Sequence, residues 1–147
     1  MESKTMMEQI TSYGLIPVIK IEDAAQAEPL ARALCRGGLP AAEVTFRTEA
    51  AAESIARMVK ACPEMLVGAG TVLTAEQADA AADAGAKFIV SPGLNPKVVS
   101  HCLEKGLPIL PGCATPSDME RAIELGLSVV KFFPAEANGG VKAIKAM

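Results

Sequence analysis

The chain is poor in aromatic residues and rich in small aliphatic ones. Aromatic residues make up 3% of its 147 positions, with no tryptophan and one tyrosine, whereas half of all residues are hydrophobic. The core must therefore be built from alanine, valine, isoleucine and leucine, and the length predicts a single domain, 1–147. The net charge is −3 and basic residues form no cluster, so the sequence lacks the electrostatic signature of nucleic-acid or anionic-membrane binding.

Signals for export, membrane insertion and metal binding are also missing. The first eight residues contain no apolar stretch, and no apolar run approaches the about 18 residues of a membrane span. The four cysteines form no C-x-x-C pair. The single histidine, His101, adjoins Cys102 in a predicted helix, where adjacent side chains point in different directions. We therefore expect a cytoplasmic protein with reduced thiols and no metal site.

Short apolar runs alternate with alanine-rich helical stretches along the whole chain. Threonines before two of the helical stretches, Thr74 with Gln77 and Thr115 before Pro116, predict helix N-caps. Strands are predicted at Ile16–Ile21, Ala42–Arg47, Met65–Thr71, Phe88–Ser91, Pro108–Gly112 and Ser128–Pro134. Helices are predicted at Glu2–Ser12, Asp23–Arg36, Glu49–Ala61, Ala75–Ala84, Pro96–Lys105, Pro116–Leu125 and Gly140–Met147.

The spacing of the glycines that end these helices predicts the fold class. Gly85, Gly106 and Gly126 lie 21 and 20 residues apart, and an apolar strand follows each of them. Repeated βα units imply a parallel sheet, and six in a row favour an α/β barrel of the (β/α)8 TIM type over a doubly wound sheet. Such a barrel has eight strands and at least about 200 residues. The expectation is therefore a fragment that lacks the last two βα units, although closure with a partner chain is an alternative.

Lys131 stands within the most hydrophobic stretch of the chain, Leu127–Pro134. A strand covered on both faces of a parallel sheet reads as a continuous apolar run, so a charge within it needs a reason. An ammonium without a partner would be costly there, and burial favours the neutral amine, which forms Schiff bases with carbonyl substrates. The alternative is an outward-pointing lysine whose stem covers apolar neighbours while its head stays in water.

The second predicted strand carries three polar residues on one face, namely Glu43, Thr45 and Arg47. In a barrel, alternate strands contribute to the same interior layer, so Glu43 and Lys131 are expected to converge. A carboxylate beside an imine-forming lysine is suited to general base catalysis, and Arg47 to gripping a substrate carboxylate. The alternative is a solvent-facing side of the strand. The glycines of the third strand, Gly68 and Gly70, are interpreted as allowing the backbone to approach a ligand closely, and a tight turn alone is the alternative.

Five sequence stretches together resemble the 2-keto-3-deoxy-6-phosphogluconate and 4-hydroxy-2-oxoglutarate aldolases, which are class I, Schiff-base lyases. The last stretch, KFFPAEANGG, is long enough to be highly specific, whereas the glycine-threonine stretch alone is not. Together they run through some nine-tenths of the chain. The stretches are Pro17–Ile19, Glu43–Thr48, Val67–Leu73, Ser91–Gly93 and Lys131–Gly140.

This resemblance implies a function and a set of site residues. It implies cleavage of a 2-keto-3-deoxy acid to pyruvate and an aldehyde, glyceraldehyde 3-phosphate or glyoxylate, with no cofactor and no metal because the iminium serves as the electron sink. It also implies a homotrimer. Lys131 would form the Schiff base, Glu43 would transfer protons, Arg47 and Thr71 would bind the pyruvate carboxylate, and Pro92 and Phe133 would line the pocket.

Two other interpretations stay open at this point. One is a catalytically impaired fragment of such an enzyme, because the part of the family's barrel that grips the sugar phosphate has no counterpart here. The other is a phosphosugar-binding barrel in which Lys131 holds phosphate as a charge, without imine chemistry.

Overall fold

A computed structural model describes residues 5–147, in which six parallel strands alternate with helices. The strands are short and lie at the centre, as expected for βα repeats. They are β1 Val18–Ile19, β2 Ala41–Thr45, β3 Leu66–Gly70, β4 Ile89–Ser91, β5 Ile109–Cys113 and β6 Lys131–Phe132. The helices are α1 Met6–Tyr13, α2 Ala27–Arg36, α3 Ala51–Ala61, α4 Ala75–Asp83, α5 Pro96–Glu104, α6 Pro116–Glu124 and α7 Gly140–Ala146.

Each strand pairs in parallel with the next one along the chain, in the order β1-β2-β3-β4-β5-β6. Glu43 of β2 lies opposite Val18 of β1 and Gly68 of β3, and Gly112 of β5 lies opposite Lys131 of β6. This is the strand order of a TIM-type barrel. Within residues 5–147, β1 and β6 do not pair with each other and form the two edges of the sheet.

The strands separate two apolar cores. The outer core lies between the sheet and the helices and takes alternate strand residues such as Val44, Val67 and Ile89. The inner core consists of Ala41, Leu66, Phe88, Val90 and Leu110, against which residues of α1 and the following loop pack. Because side chains alternate along a strand, Glu43 shares the inner face with Ala41. The predicted inward orientation of Glu43 is confirmed.

All six predicted strands and all seven predicted helices are present in the predicted order. The part of the first predicted helix before Thr5 lies outside the described residues. The helix predicted from Asp23 begins with a 3-10 turn, Ala24–Gln26, before α2. The predicted first and last strands, Ile16–Ile21 and Ser128–Pro134, are wrong in extent: β1 and β6 contain two residues each, because each is an edge strand with a partner on one side only within residues 5–147.

The local sequence signals for helix ends largely hold. Thr115 caps α6 and completes a capping box with Asp118. Thr74 caps α4 by accepting a hydrogen bond from the Gln77 backbone N–H, but the Gln77 side chain accepts one from Leu73 instead of from the cap residue. The helix-ending glycines Gly85, Gly106 and Gly126 all have positive φ, of 98°, 65° and 82°. Glycine adopts this left-handed conformation without steric cost.

The helices found between residues 5 and 147 are all too short or too polar to cross a bilayer. The expected cytoplasmic location stays a prediction.

Candidate active site

Lys131 and Glu43 meet at the inner face of the sheet, although they belong to strands four places apart. Lys131 Nζ lies 3.7 Å from Glu43 Oε1. In a flat sheet, strands four places apart would be separated by about 19 Å, since neighbouring strands are about 4.8 Å apart. The contact therefore shows that the sheet curls as a barrel does, and the predicted convergence of the two residues is confirmed.

Glu43 is the buried member of the pair. Its side chain is 8% exposed, whereas that of Lys131 is 29% exposed. Burial raises the pKa of Glu43 above its ordinary value, and the positive charges of Lys131 and Arg47 oppose this rise without cancelling it. A carboxyl whose pKa lies above that of an ordinary glutamate is better matched to giving and taking protons near neutral pH.

Lys131 is neither isolated nor fully enclosed, which corrects the expectation drawn from its apolar sequence neighbours. It has a carboxylate partner, and its ammonium lies 4.9 Å from the centre of the Phe133 ring, within cation–π distance. Val129 is 41% exposed because it lies beside the edge strand, where β5 is the only neighbouring strand in the described part of the chain. The apolar run around Lys131 is thus covered on one side, and the alternative of an outward-pointing lysine does not hold.

The space for the Glu43 carboxylate is created by a glycine. A Cβ atom at Gly70 would collide with the Glu43 carboxylate, and one at Gly68 would collide with the Phe88 ring. The two glycines therefore make room for two side chains of the protein itself, one in the site and one in the inner core. The prediction that these glycines also let a ligand approach the backbone closely is not tested by these contacts.

Lys131 and Glu43 border an otherwise apolar cavity of about 230 Å³. Its other walls come from the inner faces of β4 and β5 and from the segment that contains α1, and they are Ile10, Ile16, Phe88, Val90 and Leu110. A water molecule takes about 30 Å³ of liquid, so the cavity is large enough for a small keto acid. Its apolar walls strengthen the electrostatic interaction of the two charged groups.

The remaining predicted site residues follow the carboxyl ends of strands, where barrel enzymes carry their active sites. Arg47 is exposed two residues after β2, close enough to act electrostatically on Glu43. Thr71 directly follows β3, Pro92 directly follows β4, and Phe133 directly follows β6. Thr71 is the one non-glycine residue with positive φ (56°) in the described part of the chain. Such backbone strain in a β-branched residue is characteristic of functional sites.

Thr45, predicted to share a polar face with Glu43 and Arg47, serves a structural purpose instead. It is 2% exposed, and its hydroxyl donates a hydrogen bond of 3.1 Å to the carbonyl of Ile19 in β1. Thr48, which sequence reasoning did not single out, likewise donates to the carbonyl of Ile21 at 2.6 Å. Both bonds join the end of β2 to the segment of β1, across sequence separations of 26 and 27 residues that local patterns do not reach.

Gly112 fixes the position of β5 beside Lys131. A Cβ atom there would collide with the carbonyl oxygen of Pro92, and both groups belong to backbone that cannot rotate away. We expect Gly112→Ala to lower the free energy of unfolding by about 2–3 kcal/mol, as overpacking does. Urea denaturation measures this. Gly93→Ala is the matched control, because a Cβ at Gly93 meets no atom within 4 Å; equal losses for both variants would contradict the assignment.

The raised pKa of Glu43 predicts a pH dependence of stability. Below the ordinary glutamate pKa, the carboxyl is protonated in both the folded and the unfolded state, so its ionisation does not change the free energy of unfolding. As the pH rises from there through the raised folded-state pKa, the carboxyl ionises more readily in the unfolded state than in the folded state. The free energy of unfolding therefore falls. We therefore expect the unfolding free energy of Glu43→Gln, minus that of the wild type, to increase from pH 4 to neutrality. A difference that shrinks over this range would contradict the burial effect.

Comparison with known proteins places this site in a family. Residues 6–147 match the family model described as KDPG and KHG aldolase. A 2-dehydro-3-deoxy-phosphogluconate aldolase of Treponema pallidum is 54% identical over 143 residues, which are 97% of this chain and 68% of that protein. The chain thus spans about two thirds of that relative's length.

Two solved structures share the fold closely. The 2-keto-3-deoxy-6-phosphogluconate aldolase of Zymomonas mobilis ZM4, crystallised with 3-phosphoglycerate, superposes with a TM-score of 0.89 at 46% identity, over 96% of this chain and 69% of that one. The KDPG aldolase of Legionella pneumophila, with pyruvate captured as a covalent carbinolamine, gives a TM-score of 0.86 at 39% identity, over 89% of this chain and 64% of that one. The chain belongs to the KDPG and KHG aldolase family.

Proposed function

We propose that this chain is a class I aldolase domain that cleaves 2-keto-3-deoxy-6-phosphogluconate, 4-hydroxy-2-oxoglutarate or both to pyruvate and an aldehyde. The observation that carries the proposal is the distance of 3.7 Å between Lys131 Nζ and Glu43 Oε1, at the border of an apolar cavity. A primary amine and a proton-transferring carboxylate are the two groups that imine-based cleavage of a carbon–carbon bond requires.

The reaction begins with covalent capture of the substrate. Glu43 takes a proton from the Lys131 ammonium, the resulting amine attacks the C2 carbonyl carbon, and Glu43 returns the proton as the carbinolamine loses water to give a protonated imine. The ionised Glu43 then takes the proton of the C4 hydroxyl. The C3–C4 bond breaks, its electron pair moves into the iminium to form an enamine, and the aldehyde leaves. Protonation of C3 and hydrolysis release pyruvate and regenerate the amine.

The iminium accepts the electron pair, so this chemistry needs no cofactor or metal ion. Arg47 and Thr71 are proposed to hold the substrate carboxylate, Arg47 through its paired N–H donors and Thr71 through its hydroxyl and strained backbone. Pro92 and Phe133 are proposed to line the pocket. For Phe133 the support is its ring, which already lies against the Lys131 ammonium.

Steady-state cleavage assays test the proposal. The purified chain is incubated with each of the two substrates and pyruvate release is measured, with Lys131→Arg as the control. Release that depends on Lys131 supports the proposal. Binding of inorganic phosphate that depends on Lys131, with no pyruvate released from either substrate, would support the alternative phosphate-holding barrel instead.

We extend the proposal to a homotrimer, on the resemblance of the sequence to this family. Light scattering coupled to size-exclusion chromatography measures the mass. Three times the 15.2 kDa of one chain is the expected value, and a particle of one chain mass at all concentrations would contradict it.

A further inference from the structure

Three potential metal ligands meet at the outer surface of the fold, away from Lys131. They are the thiols of Cys35 and Cys62 and the carboxylate of Glu64, whose ligand atoms all lie within 4.8 Å of one another. Cys35 belongs to the last turn of α2, and Cys62 is the C-cap of α3. They are 27 positions apart in the sequence, which is why cysteine spacing predicted no metal site.

The cluster lies at the end of the fold opposite the proposed active site. In a βα repeat, the end of each helix precedes the beginning of the next strand, so the ends of α2 and α3 lie beside the amino ends of the strands. The proposed catalytic residues follow the carboxyl ends. A ligand bound by this cluster would therefore affect the stability of the fold and would leave the chemistry at Lys131 unchanged.

We propose that Cys35, Cys62 and Glu64 bind one zinc ion, with water as the fourth ligand, joining the ends of α2 and α3. Two thiolates and a carboxylate are ligands that zinc takes in tetrahedral sites, with Zn–S bonds of about 2.3 Å and Zn–O bonds of about 2.0 Å. These bonds place the two sulfurs about 3.8 Å apart. Side-chain rotation over about 1 Å reaches that geometry from separations of up to 4.8 Å.

Burial and charge around the cluster fit a bound cation. Cys62 is buried, Cys35 is partly exposed and Glu64 is exposed, so the site combines a fixed inner ligand with an open path for the ion. The carboxyl ends of two helices carry partial negative charge that attracts cations. The three negative charges of two thiolates and one carboxylate exceed the two positive charges of zinc by one. The guanidinium of Arg32, which interacts electrostatically with Cys62 and Glu64, offsets this excess negative charge.

Zinc must displace the thiol protons. Zinc binds cysteine as the thiolate, so we expect about two protons to be released for each zinc bound. A site made of carboxylates or of neutral imidazole would release none.

The experiment titrates the reduced 147-residue chain with Zn²⁺, and with Cd²⁺ to report thiolate ligation by charge-transfer absorption. We expect one ion per chain, about two protons released, and a higher melting temperature, which requires binding to the folded form. Because Glu64 is exposed, the Glu64→Gln variant should fold normally. It should nevertheless bind zinc at least about tenfold more weakly than the wild type. Cys35→Ala should abolish the Cd²⁺ absorption and leave pyruvate trapping on Lys131 unchanged.

Matched controls locate the site. Cys102→Ala removes a buried thiol elsewhere, and His101→Gln removes an imidazole that already pairs with Asp79 at 2.8 Å; both should bind zinc as the wild type does. The proposal is overturned if Glu64→Gln and Cys35→Ala bind zinc as tightly as the wild type, if zinc lowers the melting temperature, or if the reduced chain takes up no zinc and instead forms a Cys35–Cys62 disulfide in air.

Discussion

Replacing Lys131 by arginine should lower kcat for pyruvate release by on the order of 10⁴-fold or more, because the covalent route is lost. Arginine keeps the positive charge beside Glu43, at the position where Lys131 Nζ lies 3.7 Å from the carboxylate. It is always protonated and cannot form an imine. The variant therefore separates the nucleophile from the charge, which an alanine substitution alone does not do.

The control for this prediction is Lys87→Ala. Lys87 is an exposed lysine just before β4, at the amino end of the strand, so its loss should leave kcat within about twofold of the wild type. If Lys131→Arg retained substantial activity, the lysine would act through its charge and the imine mechanism would be wrong.

Glu43→Gln should lower kcat by about 10²–10⁴-fold, the usual contribution of a positioned general acid or base. Glutamine keeps the shape that fits above Gly70 but cannot exchange a proton. Because Lys131 is intact, borohydride should still trap pyruvate on it, although more slowly. A large loss of kcat with retained trapping is the result that distinguishes proton transfer from a purely structural role.

The pH profile supplies a second readout for Glu43. In the wild type, kcat/KM should fall on the acid side with an apparent pKa above that of an ordinary glutamate, since burial raises the pKa of Glu43. This limb should vanish in Glu43→Gln. Glu49→Gln, at an exposed carboxylate shortly after β2, is the control and should keep it. A wild-type profile without an acid limb in this range would contradict the role of Glu43.

Periodicity and helix-end chemistry were sufficient to predict the order of strands and helices. Glycines at 85, 106 and 126 mark the same helix ends in the sequence and in the structure, because positive φ is a local requirement. The face of β2 that carries Glu43 was predictable for a similar reason, since strand side chains alternate. Its contact with Lys131 followed from the layered interior of a barrel.

The remaining features depend on tertiary contacts that local pattern does not encode. The roles of Gly70 and Gly112 became visible only with the atoms that a Cβ would strike, the Glu43 carboxylate and the Pro92 carbonyl. The partial exposure of Lys131 follows from the edge position of β6. Cys35 and Cys62 are distant in sequence and meet because α2 packs on α3.

Borohydride trapping with pyruvate tests the central claim most directly. Circular dichroism first checks that the chain melts cooperatively, and the chain is then incubated with pyruvate, reduced, and digested with trypsin for mass spectrometry. A reduced imine blocks cleavage after Lys131, so the account predicts a pyruvate adduct on the peptide spanning residues 122–142, and none in Lys131→Arg. A folded chain that forms no adduct, or carries it on another lysine, would contradict the account.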